Sequence, residues 1–348
     1  MKLPNIDKDY LLSTLTKLLE TPSPTGHTKL GIALIQEELS AYSQLALNET
    51  RKGALVAEWA GEKHDAPRAI TSHVDTLGAM VKEIKANGRL KLSALGSYAW
   101  NTVEGEGCTI FLQDGSSLRG SLLLTHASGH VHAQKVNELK RDADNIELRV
   151  DARTLSAAET EKLGITVGDF VALDPRIEVN NGFVRSRHLD DKAGVAAVLA
   201  ALQALHRAKL MPQQRSTFHF SNYEEVGHGA ASGFPEDLAE LLAVDMAAVG
   251  TGQTSDEFSA TLCFKDSGGP YHHDFSQRLR KLAEEHEIAH KVDIYPYYGS
   301  DGEAYWRAGG DVAVALIGPG VDASHNYERT HMDALIATAQ WIAAYLLS

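Results

Sequence analysis

Strand-like apolar runs alternate with helical periodicity at both ends of this chain, and several of those runs end on an acidic or imidazole side chain. Residues 54–59 and 68–72 read as strands, the second delivering His73-Val74-Asp75 at its end, and further strand runs are expected at 217–221, 242–245, 293–297 and 312–317. Helical patterns fall between them. The first carries Leu11, Leu12, Leu15, Leu18 and Leu19 on one face, has Asn5 or Asp7 as its cap, and stops before the proline pair of Thr21-Pro22-Ser23-Pro24-Thr25-Gly26. Others are expected at about 28–41, 193–208, 274–286 and 332–347. Strands alternating with helices argue for an α/β fold, with helices on both faces of a sheet. Residues 77–178 break that rhythm: short β-type runs are separated by Gly/Asp/Ser turns, and helical periodicity is weak. The expected organisation is an α/β domain of residues 1–76 and 179–348 interrupted by a β-rich domain of residues 77–178.

Composition excludes several classes. With 33 Lys+Arg against 46 Asp+Glu the net charge is −13, which opposes binding to nucleic acid or to anionic membranes. The longest apolar stretch, residues 193–205, is too short to cross a bilayer and reads as a close-packed interior helix. The N-terminal residues carry no secretory or transit pattern, so the mature chain is expected to begin near Met1 and to be cytoplasmic. Cys108 and Cys263 are far apart and in no CxxC pattern, so disulfides and thiolate zinc sites are not expected. Any metal would then be held by nitrogen and oxygen ligands, which 16 His and the many carboxylates could supply.

Five short segments place such side chains at strand ends or sharp turns. In Ser72-His73-Val74-Asp75, His73 can bind a metal while Asp75 orients its ring; the alternative is a surface or satisfied core histidine. In Leu189-Asp190-Asp191-Lys192, Asp190 can bridge two cations and Asp191 support the loop, or both can simply cap the helix that follows. Glu224 and Glu225 leave the apolar strand Phe218-His219-Phe220-Ser221 together, an expensive arrangement unless a cation neutralises them. Neighbouring side chains diverge, so Glu225 can ligate while Glu224 faces an attacking water as general base. Asp245 and His325 each end or follow an apolar run, where a turn or cap role is the alternative. Taken together, His73, Asp190, Glu225, Asp245 and His325 make two metal positions sharing one carboxylate, with room for a bridging water. His130 and His132, on one strand face, and His272-His273 are read as structural or surface groups. No P-loop, dinucleotide fingerprint or GxSxG elbow is present.

In this order, Ser72-His73-Val74-Asp75, Leu189-Asp190-Asp191-Lys192-Ala193-Gly194, Glu224-Glu225-Val226-Gly227, Val244-Asp245, Lys265-Asp266-Ser267-Gly268-Gly269-Pro270, Gly299-Ser300-Asp301-Gly302 and Ser324-His325 resemble the tetrahedral or glutamyl aminopeptidases, a family of co-catalytic zinc exopeptidases. The likeness spans almost the whole chain. It implies a mixed β-sheet flanked by helices with a small barrel-like insert that mediates dimerisation, dimers building a tetrahedral dodecamer. It implies two divalent ions per subunit, Zn or Co with Mn as a further option, bound by His73, Asp190, Glu225, Asp245 and His325, with Asp190 bridging. Glu224 is then the general base and Asp75 the partner of His73, and the substrates are short peptides. Lys192 replaces a common Arg, Ser300-Asp301-Gly302 a usual Gly-Thr-Asp, and residues 320–324 lack an Arg-Tyr, so residue preference is not inherited. The sequence is especially similar to a bacterial subgroup associated with synthesis of an acetylated dipeptide-amide osmolyte, which implies a specialised small-peptide substrate. The rival readings are a deacylase or carboxypeptidase on the same di-metal centre and a non-catalytic binding or scaffold protein. A glycosidase would have no use for this ligand set.

Overall fold

The computed structural model describes residues 2–348. Its spine is a run of strands whose apolar residues are buried on both faces, as expected where helices cover a largely parallel sheet. Lys63–His73 pairs in parallel with Gln214–Ser221 on one side and Glu240–Val244 on the other, and Glu240–Val244 pairs in parallel with Ala313–Asp322. Leu55–Trp59 joins antiparallel at the far side of Gln214–Ser221, and further strands extend this to a 13-stranded mixed sheet. The register sets Ser221 opposite His73 and Val244 opposite Ile317, so the carboxyl ends of the parallel strands finish side by side. That edge is where open α/β sheets gather their sites.

The helix Leu189–Ala208 runs through the core with residues 189–202 all buried. Its Ala-rich surface lets it lie close to Lys8–Glu20 and Met332–Leu347, whose Leu15, Leu18, Trp341 and Tyr345 share its apolar cluster. The first helix is capped by Asp7, whose carboxylate accepts from the N–H groups of Asp9 and Tyr10. Asp190 and Asp191 have non-helical backbone angles, so regular helix begins only after them.

Six strands between Gly78 and Leu173 close into a barrel with its own core of Val81, Leu92, Ile110, Leu122, Leu148 and Val171. The mixed α/β sheet and the barrel agree with the fold expected. Two local expectations do not hold. His130 and His132 lie in a short helical turn, Gly129–His132, rather than on a strand face, because the segment leaves the barrel as an exposed excursion with no neighbouring strand to pair with. The strand expected at 293–297 is His290–Ile294, and Tyr295, Pro296 and Tyr297 turn away from the sheet. No helix among the described residues is long and apolar enough to cross a membrane.

Candidate active site

Each candidate side chain leaves the carboxyl edge of the sheet or a loop packed against it. His73 is the last residue of its strand and is buried. Its Nδ1 lies 2.9 Å from the carbonyl oxygen of Asp75, to which it donates, and its Nε2 faces Asp190 Oδ1 at 3.0 Å and Asp245 Oδ1 at 3.8 Å. On the other side of Asp190, His325 Nε2 stands 3.4 Å from Oδ2 and 3.5 Å from Glu225 Oε2. His325 Nδ1 donates to the carbonyl oxygen of Ser97, a residue of the barrel segment, at 2.5 Å. Asp190 therefore turns one oxygen to each of two sets, His73/Asp190/Asp245 and Asp190/Glu225/His325, and within each set the donor atoms all lie within 4.8 Å of one another.

These spacings fit divalent ions. A tetrahedral ion with nitrogen and oxygen ligands about 2.0–2.2 Å away holds those ligands about 3.4 Å apart, close to the 3.4 and 3.5 Å spacings around His325. Electrostatics point the same way. Burial, then the charge of Asp190, pushes Glu225 well above the usual carboxylate range, and its Oε1 is buried without a hydrogen-bond partner. Burial and Asp190 push Asp245 up to about 8. Asp190 is the exception: burial would raise it, but His325 and then His73 outweigh that and hold it well below the usual range. A divalent ion in each set would supply positive charge to offset the burial of these acids.

The supporting residues explain the shape. Asp75 is fully buried; its carboxylate accepts from the backbone N–H of Glu224 (3.2 Å) and Glu225 (3.4 Å) and from the Thr25 hydroxyl (2.8 Å). It stands 3.7 Å from the His73 ring, so it touches the ring through its carbonyl and the Glu224-Glu225 turn through its side chain. Asp191 accepts from Ser72 Oγ at 2.5 Å and from the His73 N–H at 3.3 Å, and packs over Gly194, where a Cβ would stand 2.3 Å from Asp191 Oδ1. Asp301 accepts from the Ser221 hydroxyl and, at 2.7 Å, from the Ala230 N–H, holding the loop after Glu225. Tyr223 and His325 both take positive φ, 76° and 62°, at the turns that deliver Glu224 and the second imidazole.

Sequence reading missed Glu328 and Ser97. Glu328 is buried and accepts from the Asp190 N–H with one oxygen and the His325 N–H with the other, both at 3.0 Å; burial and the charge of Asp190 push it up to about 8. Nothing local in Asn326-Tyr327-Glu328-Arg329 distinguishes that glutamate from an ordinary strand residue. Of the groups set aside, His272 caps the helix His273–Glu285 through Nδ1, and Cys108 and Cys263 are buried free thiols.

The sets open onto a cleft of about 360 Å³ lined by Asp190, Glu224, Glu225, Asp245 and His325 on its inner side, with Tyr298 and Arg307 among its other walls. Glu224 is 14% exposed, with Oε2 3.8 Å from His73 Nε2.

The fold is that of known aminopeptidases. The Pyrococcus horikoshii TET1 peptidase, described as able to assemble into a tetrahedron or a large octahedral shell, superposes with a TM-score of 0.85 at 20% identity, over 97% of this chain and 99% of that one. An aminopeptidase from the archaeon Desulfurococcus kamchatkensis gives 0.85 at 22% identity, over 97% and 95%. The sequence profile of the M42 glutamyl aminopeptidases matches residues 53–341, and the chain belongs to that family. It is 43% identical over 338 residues, 97% of each chain, to the Bacillus subtilis (strain 168) protein named "Putative aminopeptidase YhfE". It is thus a hydrolase acting on peptide bonds, of an aminopeptidase family whose peptidases are metal-dependent.

Proposed function

We propose that this chain removes N-terminal residues from short peptides, with two divalent ions held by His73, Asp190, Asp245, Glu225 and His325, Asp190 shared between them, and with Glu224 as the general base. The observation that carries this reading is the division of the Asp190 carboxylate between two ligand sets, one buried and one half-buried, beside a spare, cleft-facing glutamate. Zn²⁺ or Co²⁺, with Mn²⁺ also suited to the donors, would supply Lewis acidity, lowering the pKa of water and polarising the scissile carbonyl.

The protein's own groups do the rest. Burial, together with Asp245, Asp301 and Glu225, pushes Glu224 well above the usual carboxylate range, against the pull of His73. A carboxylate with raised basicity is suited to take the proton of the attacking water and, once protonated, to give it to the leaving amine. The Asp75 carboxylate fixes the backbone of the Glu224-Glu225 turn, so the base and its neighbour keep their divergent directions.

The insert of residues 77–178 supports a proposal for assembly. Val131, Leu155 and Val167, all on that insert, are 74%, 86% and 62% exposed, and packing against another copy would bury them. Association into dimers and then a closed shell is read by mass photometry on the purified chain.

The deciding experiment is hydrolysis of free, N-acetylated and C-amidated peptides by metal-stripped protein before and after Zn²⁺ or Co²⁺ is restored. Cleavage restored only for free amino ends supports the proposal. Cleavage confined to blocked substrates assigns the same centre to a deacylase. Glu224→Gln should keep bound metal and lose at least about 10²-fold in kcat; near-normal turnover in that variant removes Glu224 as the base.

A further inference from the structure

Two buried acids, Asp266 and Glu303, take no part in either ligand set. Asp266 ends the strand Ala260–Asp266, and Glu303 lies in the first turn of the short helix Asp301–Arg307. Their side chains are within hydrogen-bonding reach of one another, and Gly268 lies against both. The Gly268 N–H donates to Asp266 Oδ1 at 3.0 Å, and a Cβ at Gly268 would stand 1.7 Å from Glu303 Oε1, so a larger residue would push the pair apart. Two buried carboxylates in contact repel, and one proton between them turns the repulsion into a hydrogen bond. The surroundings offer little other relief. Arg307 Nη1 lies 3.5 Å from Glu303 Oε2 but on an exposed side chain, and the Lys265 ammonium is turned to the Asp266 backbone carbonyl. Tyr271 donates its hydroxyl proton to Asp266 Oδ2 at 2.5 Å, so Ser300 Oγ, 2.7 Å away, donates to the Tyr271 oxygen; the nearby Cys263 thiol is buried and pushed up. Burial, then Asp266, pushes Glu303 up to about 8.

We propose that Asp266 and Glu303 are positioning residues which share one proton, and that this proton ties the hairpin of residues 265–270 to the segment 298–303 forming one wall of the catalytic cleft. The connection is continuous. Beside the pair, the Ser267 N–H donates to the Tyr298 carbonyl at 3.1 Å and the Tyr298 N–H to Ser267 Oγ at 3.2 Å. Glu303 itself donates its N–H to the Ser300 carbonyl at 3.1 Å, and Tyr298, Gly299 and Ser300 line the cleft. Loss of the shared proton sets two negative charges against each other directly behind that wall, and a small displacement there is felt by a substrate in the cleft.

The test uses full-length, metal-loaded protein as wild type, Glu303→Gln and Asp266→Asn. A carboxyl raised on folding contributes stability that is fully present below its unfolded pKa of about 4.5 and is lost as pH rises through 8. Between pH 6 and 9 the unfolding constant of wild type, read from urea curves, should rise about a hundredfold relative to that of Glu303→Gln, which cannot titrate. Asp266→Asn leaves Glu303 without a charged neighbour, so its loss of stability should move to lower pH. Wild-type and Glu303→Gln curves that stay parallel, or an Asp266→Asn loss at the wild-type pH, would overturn the sharing. The kinetic arm rests on the aminopeptidase reading above. From pH 7 to 9 the KM of wild type for a free-amino peptide should rise about three- to tenfold relative to that of Glu303→Gln, with kcat moving alike in both. Titration of the substrate amine and of Glu224 acts on both proteins and cancels in the comparison. Coincident KM profiles would overturn the positioning role. Absence of turnover in wild type, with the stability difference present, would sink the aminopeptidase reading alone.

Discussion

Replacing Asp75 by Asn tests how the site is held. The substitution keeps the shape of a fully buried side chain and exchanges one acceptor oxygen for a donor. Oδ1 now accepts from the Glu224 N–H, and Oδ2 accepts from the Glu225 N–H and the Thr25 hydroxyl. Neither orientation of an amide satisfies all three donors. The milder one keeps its oxygen toward Glu224, lets Thr25 turn its hydroxyl to the Thr76 carbonyl, 3.3 Å away, and leaves the Glu225 N–H facing an NH₂. Hydrogen bonds to charged groups contribute about 1.5–3 kcal/mol against about 0.5–1.5 for neutral ones, and an orphaned buried donor costs about 1–3. The loss is then about 2–4 kcal/mol, and because it falls on the turn that aims Glu224 and Glu225, it should appear mainly in the barrier. At about 1.4 kcal/mol per decade this is roughly a 30- to 1,000-fold drop in kcat/KM. Peptide hydrolysis at saturating Zn²⁺ or Co²⁺, with bound metal counted by mass spectrometry, reads the effect. Thr25→Val removes only one of the three donors and should cost much less. An Asp75→Asn enzyme within about threefold of wild type, with metal bound, would refute the assignment of Asp75 to that turn.

Glu328→Gln should weaken metal binding by about 10- to 100-fold, because one of the two backbone N–H groups it now holds, on Asp190 and His325, loses its acceptor; a competition titration with a chelating dye checks it. Stripping the divalent ions should lower the melting temperature and restoring them should reverse it, by up to about 4 kcal/mol when the free ion is a thousandfold above its Kd; an unchanged melt would argue against buried ion sites. His219 is buried against Phe234, and burial, then the nearby charge of Lys52, lowers its pKa to about 3. A histidine depressed on folding contributes stability that is fully present above its unfolded pKa of about 6.5 and is lost as pH falls toward 3. From pH 7 to 5 that loss is about 2 kcal/mol, and His219→Gln should remove it, so urea unfolding curves of the two proteins should converge by that amount over this range; parallel curves would show His219 to be uninvolved.

The main elements were legible where the signal is local. Strands buried on both faces read as apolar runs, the Ala-rich helix could be read from residues 193–205 alone, and the barrel segment announced itself by its turns. Chemistry at strand ends was legible too: His73, Asp190, Glu225, Asp245 and His325 stand out because buried strands rarely end in acids or imidazoles, and the structure brings all five to one place. What could not be read is what depends on distant partners. Glu328 acts 138 residues away on Asp190, and Ser97 acts 228 residues away on His325. Closure of the barrel depends on the antiparallel pairing of Gly78–Met80 with Phe170–Ala172, and no sequence window contains both. The strand Ala260–Asp266, antiparallel to Ala313–Asp322, also passed unread, since its short run gives no period distinguishing it from a loop.

The two halves of the site are held by different parts of the chain, and this makes them unequal. His73 and Asp245 come from adjacent parallel strands and are 1% and 6% exposed, so their positions follow from sheet register. His325 comes from a loop residue at positive φ, its side chain 37% exposed, and it is positioned by Glu328 on one side and the Ser97 carbonyl on the other. Ser97 belongs to the barrel segment, which is tied to the catalytic sheet again where Arg187 donates to the Thr102 carbonyl and to Glu106 Oε1. The barrel segment therefore helps to position His325 directly. A displacement of the barrel would reach His325 through the Ser97 carbonyl and Glu225 through Gly96, which lies against it, whereas His73 and Asp245 follow the sheet. In the proposed two-ion reading Asp190, fixed by Glu328 through its own N–H, joins a set positioned by sheet register to one positioned by a loop.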